Sequence, residues 1–146
     1  MYRRPYHQTY KTPPTLEEFL QLPWSTLGRE NLSGAVSNPI DLWNIKNRSY
    51  LSLPQDCTIH LNTESTFVNA AGVINQIAEK FGIAKIQAEF IDFERSTKKR
   101  TDRDGDYYRD YYLNERWRSE LSEESIELIN ASLDPSLVAH YGYALL

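Results

Sequence analysis

Between Thr66 and Phe81 the apolar residues Phe67, Ala70, Ala71, Ile74, Ile77, Ala78 and Phe81 recur with the 3.6-residue period of an α-helix. Gly82 follows, where a left-handed C-terminal cap is wanted. Just upstream, Cys57-Thr-Ile-His-Leu61 alternates and carries β-branched residues, the pattern of a strand. A strand followed by such a helix is half of a βαβ unit, so the chain is expected to build an α/β fold.

The other helices are marked by their ends. Thr15-Leu-Glu-Glu18 has the form of a capping box, and Pro23 ends the short helix that it opens. Asn38-Pro39 opens a second helix reaching about Leu51: asparagine suits the N-cap, proline the first position, and Asp41 the helix dipole. From Asp110 the chain turns helical again, and Ser122-Glu-Glu and Asp134-Pro135 start two more helices, with Gly142 closing the last. Ile86 to Phe93 reads as a second short strand, and residues 24–37, with Gly28 and Gly34 among small polar residues, as a loop. Pro5, Pro13 and Pro14 exclude a continuous helix at the N-terminus.

Composition narrows the class. A length of 146 residues, 40% hydrophobic and 25% charged, fits one globular domain or part of one. A formal charge of −4 argues against a nucleic-acid binder working through bulk electrostatics, so any anion site must be local. The single cysteine, Cys57, permits no intramolecular disulfide and fits a reducing, cytoplasmic setting. The N-terminus carries no apolar run of signal-peptide or membrane-helix length. The sequons at Asn31, Asn47 and Asn130 are then chance matches. The tyrosines gather at Tyr2 to Tyr10 and Tyr107 to Tyr112, and both groups call for packing partners.

The densest charge runs from Ser96 to Trp117. Lys98, Lys99, Arg100 and Arg103 form a cluster of cations suited to a phosphate or sulfate, while Asp102, Asp104 and Asp106 offset much of that charge. The same residues also read as a solvated loop. The acidic triplet does not hold calcium, because Gly105 falls in the fourth place from Asp102 and no closing glutamate follows at the required distance. His7, His60 and His140 are too scattered for a metal site. His60 reads as a core residue of its strand. Trp43, Arg48, Tyr50, Tyr111, Tyr112 and Trp117 read as structural.

Four blocks together resemble a known family. Arg3-Arg4-Pro-Tyr-His7, Asn38-Pro-Ile-Asp-Leu-Trp-Asn44 with Arg48-Ser-Tyr-Leu51, Tyr111-Tyr-Leu-Asn-Glu-Arg-Trp117, and the closing Ile129-Asn130 to Gly142-Tyr143 look like the C-terminal half of bacterial sulfotransferase-family proteins. The resemblance implies a P-loop-like α/β fold, here its mostly helical C-terminal part with few strands. It implies transfer of a sulfuryl group from 3′-phosphoadenosine 5′-phosphosulfate (PAPS) to a hydroxyl or amine, without a metal. Lys98, Lys99 and Arg100 would then contact the nucleotide, and Arg3 and Arg4 would face the acceptor. No catalytic group is fixed; His7 is the candidate. Glu64 stands where the family tends to carry an acidic pair, but Thr63-Glu-Ser65 departs from that pattern.

The family's phosphosulfate loop is not among these residues: Gly28 and Gly34 are not followed by Lys-Ser/Thr at the spacing that cradles a phosphate. By the resemblance, residues 1–146 are a partial domain and Met1 an internal methionine of a longer protein. A separate N-terminal half chain is the expected partner, and the chain alone is expected to be inactive. The alternative is a non-catalytic interaction module, or a truncated gene product, docking on a partner chain through the face left open by a missing sheet. The acceptor is not legible.

Overall fold

The computed structural model describes residues 11, 13–25, 34–91 and 103–146. The order of elements is α1 (Leu16–Gln21), β1 (Trp24–Ser25), β2 (Ala35–Val36), α2 (Pro39–Leu51), α3 (Thr63–Phe81), α4 (Gly105–Leu113), a 3₁₀ helix (Arg116–Glu120), α5 (Glu123–Ser132) and α6 (Pro135–His140). The described residues are thus mostly helical, with one two-stranded antiparallel sheet. They divide into two units, one made from the described residues within 1–53 and 121–146, the other from those within 54–120. The first is discontinuous in sequence, drawing on both ends of the chain.

In the discontinuous unit the expected caps form. Thr15 Oγ1 accepts from the Glu18 amide at 3.2 Å, and α1 ends at Leu22, just ahead of Pro23. Asn38 Oδ1 accepts from the Ile40 and Asp41 amides at 2.9 and 2.8 Å, with Pro39 in the first turn, where its missing N–H costs nothing. Residues 24–37 are not wholly loop: β1 and β2 pair with Trp24 opposite Val36 and Ser25 opposite Ala35. That short ladder sets the Trp24 indole against Phe19, ring edge to ring face, with centroids 6.2 Å apart. Phe19, Trp24 and Leu42 make the buried cluster, and Leu16 and Val36 pack on it. Each such side chain stabilises the fold by about 1.5–3 kcal/mol through the apolar surface it removes from water.

Helix α1 meets α5 through polar groups as well. Ser122, the N-cap of α5, and the fully buried Ser125 both donate their hydroxyls to Glu17 Oε1, Ser125 at 2.5 Å. These two bonds, Ser122 foremost, hold the Glu17 carboxyl at about 2 against its ordinary 4.5. In α6, Asp134 accepts from the Ser136 amide and hydroxyl at 2.9 and 2.6 Å. The Ser136 hydroxyl, and after it Arg48, brings Asp134 down to about 2 from 3.8. Both carboxylates are more acidic folded than unfolded. Their contribution is therefore complete above the unfolded values and is lost as pH falls from about 4.5 towards 2. Urea titrations across that window should show stability falling with acidity. The fall should be shallower in Glu17→Gln and Asp134→Asn, and an unchanged slope in both variants would contradict it.

The second unit, residues 54–120, is open: among its described residues none is buried. Cys57 to Leu61 forms no strand, contrary to its alternation. Pro54 turns the chain instead, its carbonyl accepting from the Cys57 amide at 3.3 Å and the Thr58 hydroxyl at 2.7 Å. His60 is exposed rather than core. The segment 86–91 is bent at Ile86–Glu89 and forms no strand, and residues 92–93 lie outside the described residues. Among the described residues no paired strands flank α3, so the half βαβ unit is not built there.

Helix α3 begins at Thr63, earlier than its apolar period predicts, because Asn62 caps it, Oδ1 accepting from the Ser65 amide at 2.8 Å. It is interrupted at Asn69 (φ −151°, ψ 71°), whose Oδ1 accepts from the Gly72 amide at 2.8 Å and so caps the longer second part. A Cβ at Gly72 would stand 2.3 Å from Asn69 Nδ2, so glycine is what leaves room for that internal cap. The helix ends as its sequence predicts: Gly82 is left-handed (φ 63°) and the Ile83 amide reaches back to the Ala78 carbonyl at 2.9 Å. Helix α4 starts at Gly105, five residues before the expected Asp110, because Asp104 Oδ1 caps the Tyr107 amide at 2.8 Å.

Candidate functional site

The residues expected to contact nucleotide or acceptor, Lys98, Lys99 and Arg100, and Arg3, Arg4 and His7, lie outside the described residues. The described part of the charged stretch begins at Arg103, whose guanidinium lies 4.8 Å from the centre of the Tyr107 ring. That contact is a cation–π interaction. Tyr107 stacks on Tyr111 with ring centres 6.1 Å apart, and Tyr112 stacks on Phe67 of α3 at 5.4 Å. Arg109 joins the same two helices, its Nε donating to the Phe67 carbonyl at 3.2 Å and its Nη1 to Asp106 at 2.7 Å.

At the end of α4, Tyr111 donates to Glu120 Oε1 at 3.0 Å. Partial burial, reinforced by the Glu120 carboxylate, raises the Tyr111 phenol above its ordinary 10. A phenol so held keeps its proton and serves as a donor, not as a base. Glu115 takes a left-handed conformation (φ 48°) that breaks α4 from the 3₁₀ helix carrying Trp117. Tyr112 and Arg109 thus hold α4 against α3. The rings of α4 serve packing, in line with the structural reading of Tyr111 and Tyr112.

In the discontinuous unit a different constellation converges. Asn44, buried in α2, donates from Nδ2 to the Ser132 carbonyl at 2.7 Å and accepts at Oδ1 from the Asp134 amide at 3.1 Å. Arg48, one turn on, donates from Nε and Nη2 to Asp134 Oδ2 at 3.0 and 2.6 Å. Together with Asp41 and Ile45 these residues line a cleft of about 490 Å³. Asp134 is engaged by both of its oxygens, so this constellation acts as a lock between α2 and the α5–α6 turn and not as a reactive centre. Arg48 was legible as structural, but Asn44 was not, since its partners lie 88 and 90 residues away.

Among the described residues no three of His, Cys, Asp and Glu stand together as a metal site, and no helix is long and apolar enough to cross a membrane. His140 ends α6 with its ring edge-on to Tyr141, the centroids 5.1 Å apart. Glu64 lies in the first turn of α3, where it favours the helix dipole. Comparison with protein-family models, with curated proteins and with solved structures finds no match to this chain.

Proposed function

We propose that this chain is the C-terminal part of a PAPS-dependent sulfotransferase with a P-loop-like α/β fold, and that it completes its active site with a separate N-terminal half. One observation carries the reading. Two of the sequence blocks on which the family resemblance rests, Asn38 to Asn44 with Arg48 to Leu51, and Ile129 to Tyr143, meet through the Asn44 and Arg48 bonds to Ser132 and Asp134. Blocks that lock together in space are what a shared domain requires, and chance matches scattered along a chain have no reason to meet.

In this reading PAPS supplies the sulfuryl group: a new bond forms from the acceptor oxygen or nitrogen to sulfur, the bond from sulfur to the bridging phosphate oxygen breaks, and the acceptor loses its proton. Lys98, Lys99 and Arg100 offset the charge that gathers on the departing nucleotide, as cations do in phosphoryl transfer. In the same reading Arg3 and Arg4 contact the acceptor, and His7 is the candidate to take its proton. The arginines suit bidentate contact with phosphate oxygens and the lysines act as point charges. Helix α4, held against α3 by Tyr112 and Arg109, follows the basic loop.

Titration with 3′-phosphoadenosine 5′-phosphate, followed by amide NMR shifts, tests the assignment. The expected shifts centre on residues 98–100 and weaken about tenfold or more in the Lys98→Ala/Lys99→Ala/Arg100→Ala variant, with no turnover by the chain alone. Absence of shifts at millimolar nucleotide would remove the proposal, and sulfation of an acceptor by the purified chain would remove the need for a second half.

A further inference from the structure

From Ala84 to Phe90 apolar and polar residues alternate without interruption, the period of a strand with one covered face. Yet the segment is irregular, bent at Ile86–Glu89, and among the described residues 84–91 make no backbone–backbone hydrogen bond. Its apolar side chains are bare: Ile86 is fully exposed, and Ile83, Phe90 and Ile91 are each about half exposed. They border an open groove of about 610 Å³ whose other wall is the second part of α3, with Ile74, Ile77 and Ala78. Strand periodicity, idle backbone groups and an uncovered apolar face describe a strand without a neighbour.

The sequence itself says which neighbour fits. Set antiparallel to its own copy about Gln87, the segment places Lys85 opposite Glu89 of the other copy, and Glu89 opposite Lys85, on one face. On the other face Ile86 meets Ala88 and Phe90 meets Ala84, large against small; on the charged face Ile83 meets Ile91 beyond each charge pair. Moving the centre to Ile86 or Ala88 abolishes both charge pairs. Parallel in-register pairing puts lysine on lysine and glutamate on glutamate. Opposite charges across a ladder stabilise it and like charges destabilise it, so only the Gln87-centred antiparallel register satisfies every position.

We infer that residues 83–91 are a dimerisation strand, pairing with the same residues of a second copy of this chain about a two-fold axis through Gln87. Such a contact is isologous and closes on itself. A two-stranded ribbon is marginal in water, but here the groove beside the second part of α3 in each copy gives the face carrying Ala84, Ile86, Ala88 and Phe90 a surface to close onto. In the isolated chain Lys85 Nζ donates to Asn75 Oδ1 at 2.7 Å, a neutral partner that Glu89 of the other copy replaces with a charge. The inference goes beyond sulfuryl transfer and does not depend on it.

Sedimentation of the full chain from about 1 µM to about 1 mM tests this. The wild type should dimerise with concentration. Lys85→Glu and Glu89→Lys should each raise the dimer Kd about tenfold or more, and the Lys85→Glu/Glu89→Lys double variant should return close to wild type. Directly opposed strand residues have Cα atoms about 4.5–5.5 Å apart, within disulfide reach. In a Cys57→Ser background, then, Gln87→Cys should oxidise to a linked dimer, while Val68→Cys on the first part of α3 should not. A monomer at every concentration, a dimer indifferent to Lys85→Glu, no recovery in the double variant, or a Gln87→Cys thiol that couples to a different protein in place of its own copy would each overturn the assignment.

Discussion

Replacing Asn44 with alanine should lower the stability of the discontinuous unit by roughly 3 kcal/mol. Asn44 is only 5% exposed, and its one amide satisfies both the Ser132 carbonyl and the Asp134 amide. Alanine leaves both backbone groups in a buried place without their partner, at about 1–3 kcal/mol each. Aspartate should do no better, since it keeps an acceptor for the Asp134 amide but turns a carboxylate oxygen towards the Ser132 carbonyl. Urea unfolding followed by tryptophan fluorescence measures the loss. Trp24 and Trp43 report on this unit, and Trp117→Phe silences the other. A midpoint shift worth under about 1 kcal/mol would mean that water takes over both bonds.

A loss of similar size should follow from Leu42→Ala. Leu42 is 1% exposed and packs with Phe19 and Trp24. Deleting a buried leucine side chain forfeits its transfer free energy and leaves a cavity, together about 3 kcal/mol. Val68→Ala is the matched control, because Val68 is 72% exposed on α3, and its effect should stay within about 0.5 kcal/mol. The two measurements together test whether stability is concentrated where α1, β1 and α2 meet. Equal losses at Leu42 and Val68 would contradict that distribution.

The parts of the fold legible in the sequence are those decided within one helical turn. Thr15, Asn38-Pro39, Gly82, Ser122 and Asp134-Pro135 all terminate helices as expected, because a cap is a bond between residues two to five apart. Strands are a different matter. Cys57 to Leu61 and the described part of Ile86 to Phe93 have the alternation of strands, but alternation records only that a segment has two unlike faces. The ladder itself needs a neighbour, and neither segment has one within the described residues. The early start of α3 went unread because Asn62 and Asn69 both cap, dividing one apolar period between two helical pieces. The lock at Asn44 was invisible for a related reason: an asparagine within a helix says nothing of a partner 88 residues on. The nucleotide-side and acceptor-side residues were legible only through the family resemblance, and they lie outside the described residues.

Because one unit is assembled from segments on both sides of the other, it cannot be completed until the second of its segments has been made. Helix α2 is made before its partners, with Leu42 and Asn44 already on its surface, while Ser132 and Asp134 follow 88 and 90 residues after Asn44. At about 5–20 residues per second that interval is roughly 4 to 18 s. Throughout it, a nascent chain presents an apolar stripe and an amide without its partners, the kind of surface that holding chaperones bind. A ribosome stalled anywhere in residues 54–120 would carry α1 and α2 without the segment that completes their unit.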